Sequence, residues 1–142
     1  MKVNSSLIVS TLISAILAGV PADAHHSFAA EYDADKPITL TGTVTKLEWF
    51  NPHARIYIDV KDEKGNVVNW DCELGPPNGL MRRGWNRNSL KPGHVVTITG
   101  FRSKLAPHNA NARTVKLPDG RQVFAGSSFD TGTPLEDQGI IK

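Results

Sequence analysis

From residue 38 the chain alternates between apolar and polar positions with a period of two. Ile38, Leu40, Gly42 and Val44 share one face, and Thr39, Thr41, Thr43 and Thr45 the other, the pattern of a half-exposed β-strand. After Lys46 the apolar phase slips by one, onto Leu47 and Trp49. No turn residue intervenes, so the slip predicts a bulge or bend within one strand rather than a break between two. Asn51-Pro52 ends the run. Alternation resumes with Ala54, Ile56, Ile58 and Val60 inward and Arg55, Tyr57, Asp59 and Lys61 outward, which makes a second strand. Residues 62–66 read as a hairpin connection to a third, in which Val68, Trp70, Cys72 and Leu74 face inward.

Residues 75–93 differ in kind. Pro76-Pro77 stops the third strand, Asn78 is placed to cap a short helix over residues 80–83, and Gly84 to end it. Lys91-Pro92-Gly93 turns the chain into a fourth strand over residues 94–101, with Val96 and Ile98 on one face. A polar loop holding Pro107 and His108 leads to a run over residues 113–117, and Pro118-Asp119-Gly120 turns the chain into a last run over residues 122–125. This order of elements predicts an all-β fold: a small OB-like, five-stranded antiparallel barrel with one short helix between strands three and four. An open β-sandwich is the alternative topology. Gly42 and Gly100, inside predicted strands, suit the bends of a tightly coiled barrel.

The ends of the chain read differently. Lys2, an apolar-rich run over residues 7–20, and Pro21 followed by Ala22-Asp23-Ala24 form the three-part pattern of a secretory signal peptide cleaved after Ala24. The apolar run is interrupted by Ser10, Thr11 and Ser14 and falls short of the ~20 residues that span a bilayer. The expected organisation is therefore a signal peptide over 1–24, an N-terminal arm over 25–37, a barrel over 38–125 and a flexible tail over 126–142. A periplasmic location follows, with no membrane anchor in the mature chain.

Charge and cysteine content narrow the function. The net charge is +2 with both signs interspersed, so no basic stripe points to nucleic acid. The single cysteine, Cys72, excludes an intramolecular disulfide and reads as a small core residue. No Gly-x-Ser-x-Gly, phosphate loop or His-Glu-x-x-His helix occurs, so no enzymatic machinery is evident and an enzyme is the third choice of function. A pairing of Glu48 with His53 is conceivable, but nothing in the spacing argues for it.

Histidine placement carries the chemistry. Two of the five histidines, His25 and His26, would open the mature chain. An N-terminal histidine offers an α-amino group and an imidazole on one residue, a nitrogen pair that favours Cu(II). A second imidazole would complete the three-nitrogen arrangement called a histidine brace, and His53, in Trp49-Phe50-Asn51-Pro52-His53, is the candidate. The predicted metal ligands are His25, His26 and His53, with copper as the ion. His94 and His108 read as solvent-facing. Trp49, Phe50, Asn51 and Tyr57 form a possible ligand surface for the alternative reading, a metal-free domain binding a small ligand or another periplasmic protein.

His25-His26-Ser27-Phe28, Gly42-Thr43-Val44, the Trp-x-Asn-Pro-His motif ending at His53, Trp70 with Glu73, and Gly84-Trp85 together carry a resemblance. The chain resembles a family of small exported bacterial proteins of unknown function. That resemblance implies a periplasmic location and a small β-barrel, and it brings no activity.

Overall fold

The computed structural model describes residues 28–126. The predicted signal peptide, His25, His26 and nearly all of the predicted tail lie outside them. A short helix α1 (Phe28–Glu31) leads into β1 (Tyr32–Glu48), followed by β2 (Arg55–Lys61), β3 (Val67–Glu73), helix α2 (Pro77–Met81), β4 (Val95–Ser103), β5 (Asn109–Lys116) and β6 (Gln122–Phe124). The sheet order is β3-β2-β1-β4-β5-β6, and a further pairing of β3 with β5 closes five strands into a ring. Neighbours along the sheet run antiparallel, and the closing contact, Asp71–Glu73 against Asn109–Asn111, is parallel. The fold is the OB-like barrel with its helix between strands three and four, extended by the short β6.

Alternation explains which side chains fill the ring. Leu40, Val44, Ile56, Ile58, Trp70, Cys72, Val96, Ile98 and Val115 are buried in one core, each at every second position of its strand. The phase slip is a bulge: Val44 pairs with Ile58 but Lys46 with Tyr57, leaving Thr45 as the extra residue. Its hydroxyl donates to the Tyr57 carbonyl at 3.2 Å. The bulge turns Leu47 toward the core and leaves Glu48 on the outer surface opposite Arg55.

Two glycines mark where strands approach too closely for any side chain. A Cβ on Gly100 would lie 1.8 Å from the Asn111 carbonyl oxygen, and one on Gly42 would lie 2.5 Å from that of Asp59. The β4–β5 register shifts between Thr99 and Gly100. There β5 bends away from β4 to reach β3 and close the barrel.

Three boundaries differ from the sequence reading. β1 begins at Tyr32, not Ile38, because its first residues pair with the far end of β4, Tyr32 opposite Ser103. β5 begins at Asn109 because the parallel contact with β3 supplies partners to a stretch that carries no alternation of its own. Helix α2 starts earlier than predicted: Pro77 occupies the first turn, Pro76 precedes it, and no side chain caps the end, since a proline there removes a donor that would need one. Gly84, at φ +87°, ends that segment, and Trp85 is buried behind it with its indole N–H donating to the Phe124 carbonyl at 2.9 Å.

Candidate functional site

The outer faces of β2 and β3 carry the polar counterpart of the core. Arg55 and Tyr57 alternate with buried Ile56 and Ile58, and Asp71 and Glu73 with Trp70 and Cys72. The hairpin register sets Arg55 opposite Glu73 and Tyr57 opposite Asp71. Arg55 bridges the two acids, with Nη1 donating to Asp71 Oδ2 at 2.5 Å and Nη2 to Glu73 Oε2 at 2.9 Å. Burial works against the Arg55 charge, and Asp71 and Glu73 outweigh it, so its pKa rises. For Asp71 burial prevails over the attraction of Arg55 and moves the carboxyl up.

His53 reaches this face through the β1–β2 loop. The Asn51–Pro52 peptide is cis, and the loop rejoins the sheet at Ala54, whose N–H donates to Gly75 O at 3.1 Å and whose carbonyl accepts from Leu74 N–H at 2.8 Å. Those two bonds hold the loop against the exit of β3. His53 Nδ1 consequently lies 2.6 Å from Glu73 Oε1, with the histidine side chain 36% exposed and the glutamate 8%. Burial pushes the Glu73 carboxyl up, but the hydrogen bond and charge of His53 and the charge of Arg55 together hold it below the usual carboxylate range. An ionised carboxylate only accepts hydrogen bonds, so His53 donates through Nδ1–H and leaves Nε2 on the far side of the ring.

Tyr32 approaches the same carboxylate from the start of β1. It is 4% exposed, and burial first, then the nearby negative charge of Glu73, raises its phenol pKa. A single buried carboxylate therefore receives a loop histidine and a strand arginine. Next to it, Tyr57 donates to Glu48 Oε2 at 3.1 Å, and Lys46 pairs with Glu48 while lying 5.4 Å from the Tyr57 ring centroid.

The predicted site residues separate into distinct environments. His53 sits at the edge of the polar face, whereas His25 and His26 lie outside the described residues. Trp49 is partly buried against the core, Phe50 is 69% exposed, Asn51 is exposed, and Tyr57 is held by Glu48. Glu48 does not partner His53, and Glu73 does, because the hairpin register brings the end of β3 under the loop. His108 is exposed, with its ring edge-on to Trp70 at 5.4 Å. His94 is only partly exposed, its Nδ1 accepting from Lys91 N–H at 3.3 Å. Among the described residues no group of three or more His, Cys, Asp or Glu side chains is placed to hold a metal ion. The surface hollows around Gly42 and Val95 and around His94 and Leu117 include neither His53 nor Glu73.

Sequence reasoning missed Glu73 and Tyr32 as members of the site. The hairpin register could have placed Glu73 opposite Arg55. Nothing in the sequence signals Tyr32, since its role depends on β1 starting six residues before its alternating pattern does.

The model of a family of unknown function, DUF6152, matches residues 13–111. The chain belongs to that family. The match takes in Tyr32, the His53 loop and Glu73 and ends inside β5. No curated protein matches the chain. Among the described residues no helix is long and apolar enough to cross a membrane.

Proposed function

We propose that this family member is an exported metal-binding module, cleaved after Ala24 and resident in the periplasm, that holds a copper ion with the amine and imidazole of His25 and the imidazole of His53. The observation that carries the reading is the 2.6 Å contact between His53 Nδ1 and Glu73. Metal-binding histidines characteristically donate their second ring nitrogen to a carboxylate, which fixes the tautomer and raises the basicity of the other nitrogen. Glu73 supports His53 in that way, with Nε2 as the metal-binding atom. His53 and Glu73 do not make a metal site alone. The remaining nitrogens would come from His25, with His26 as a further possible ligand.

Copper is the ion of choice because an amine and two imidazoles form a nitrogen-only donor set, and Cu(II) heads the affinity order for such sites. Calorimetric Cu(II) titration of the mature chain, its N-terminus established by mass spectrometry, tests the reading. Sub-micromolar binding is expected to be lost when one glycine precedes His25 and weakened by His53→Ala. Binding that survives both changes overturns it.

A second reading is a metal-free domain for a small ligand or a protein partner. It is favoured by the exposed Phe50 in the loop that leads to the outward Arg55 and Tyr57 of β2, where OB folds bind ligands. Under that reading Phe50→Ala abolishes partner binding, and the extra N-terminal glycine has no effect.

A further inference from the structure

We propose that the connection between α2 and β4, residues 82–94, is a docking surface for an acidic segment of a partner protein. Arg82, Arg87 and Lys91 receive its carboxylates, and Met81 receives an apolar side chain. This surface shares no residue with the metal reading above.

Charge changes character after Glu73. Acids and bases are interspersed up to that point, but from Leu74 to Pro118 the chain has eight Lys and Arg and no Asp or Glu. Folding does not restore the balance. In the first half Asp33 pairs with Lys36, Glu48 with Lys46, and Asp71 and Glu73 with Arg55. Arg82, Arg87 and Lys91 are exposed, and among the described residues none of them forms an ion pair with a carboxylate.

Packing makes these cations face outward together. Leu80, Trp85 and Leu90 are buried and pin the stretch to the barrel at three points. Between the pins the backbone closes into turns: Trp85 N–H donates to the Leu80 carbonyl at 3.1 Å, Ser89 N–H to that of Asn86 at 3.0 Å, and His94 N–H to that of Lys91 at 3.1 Å. Gly93 N–H ties the far end to the Val44 carbonyl of β1 at 2.8 Å. Arg83 is drawn back, its guanidinium 4.4 Å from the Phe124 ring centroid. Arg82, Arg87 and Lys91 are left outside, with the exposed Met81 at their base. A surface held in this way before a partner arrives has less ordering to lose on binding.

Side-chain chemistry selects the occupant. A guanidinium matches a carboxylate through two parallel hydrogen bonds, and Arg and Met are both enriched in protein interfaces. Binding a bilayer requires apolar side chains to insert, and residues 82–94 expose no large hydrophobic one. Single-stranded nucleic acid stacks its bases on exposed aromatic rings, and the indole of Trp85 is turned into the core. Carboxylates on a polypeptide fit what remains.

The mature chain is titrated at low salt with a labelled poly-glutamate peptide, with phosphatidylglycerol vesicles and with single-stranded DNA. The peptide is expected to bind most tightly, and to weaken as salt is added. Arg82→Glu with Arg87→Glu is compared with Lys61→Glu with Lys64→Glu, which changes the net charge equally on exposed side chains at the β2–β3 turn. The first pair is expected to weaken peptide binding about tenfold or more and the second less than about twofold, because a local complement outweighs net charge. Arg82→Gln with Arg87→Gln should fall between them. One leucine added to the peptide is expected to tighten binding about threefold, an advantage that Met81→Ser removes. A wild-type chain that ignores the peptide, or equal losses from the two charge reversals, overturns the surface. Tighter binding of vesicles or DNA overturns the protein partner, as does a dimer of the chain that Arg82→Glu with Arg87→Glu dissociates in sedimentation. A leucine advantage that survives Met81→Ser overturns the apolar contact.

Discussion

His53 and Glu73 are twenty residues apart in the chain and meet because the β2–β3 hairpin folds the end of β3 back under the β1–β2 loop. The contact joins a part-exposed imidazole to a buried carboxylate, and Arg55 completes the pairing by donating to the other carboxylate oxygen. Satisfied on both oxygens, Glu73 remains charged at a depth where an unpaired acid would take up a proton.

Replacing this carboxylate should destabilise the fold in a pH-dependent way. Glu73→Gln puts an amide N–H₂ where an acceptor is needed, facing either Arg55 or His53. At pH 7 the variant is expected to lose about 2–3 kcal/mol, the range for hydrogen bonds to charged groups. The folded-state pKa of Glu73 lies below its unfolded value, so its contribution is fully present above the unfolded pKa of about 4.3 and is lost as pH falls through the folded value. Urea denaturation of both proteins from pH 7 downward should therefore show their stability difference shrinking on acidification. A constant difference across that range contradicts the assignment.

Glycine substitutions should separate close approach from turn geometry. Gly100→Ala places a methyl against the Asn111 backbone, 1.8 Å from its carbonyl oxygen, and backbone cannot rotate away as a side chain can. A loss of about 3 kcal/mol or more is expected, at or beyond the upper end for overpacking, read as a lowered midpoint in thermal denaturation. Gly79→Ala lies in α2, where the nearest atom to an added Cβ is Pro76 Cγ at 3.6 Å. It should be neutral or stabilising by about 0.5–1 kcal/mol, since alanine loses less entropy in a helix than glycine.

Cys72 should be chemically silent in the native protein. Its side chain is fully buried, and burial together with the charge of Asp71 pushes the thiol pKa up to about 12. At pH 8 a disulfide-exchange reagent is expected to titrate no thiol in buffer and one in denaturant. For the same reason the Cu(II) complex should show no thiolate-to-copper charge-transfer absorption. A native thiol titration would contradict the burial of Cys72, and that absorption band would place it at the metal.

Much of the architecture was legible because it rests on local periodicity. Two-residue alternation located the core faces of β1 through β4, and the slip after Lys46 announced the bulge at Thr45. Asn109–Ala112 carried no such signal. That stretch lies on the barrel's closing seam, where residues 110–112 are buried whichever face they point to and alternation disappears. The early start of β1 was equally hidden, since residues 32–37 are held by β4 rather than by a pattern of their own.

By itself the sequence determined the strand order, the inward residues, the two glycines at close approaches and the histidine on the first loop, all of which follow from spacing along one chain. Only the tertiary structure decided that His53 answers to Glu73 rather than Glu48, and that Arg55 shares the same carboxylate. Those contacts depend on barrel closure and hairpin register, which bring distant residues together through packing that no local pattern records.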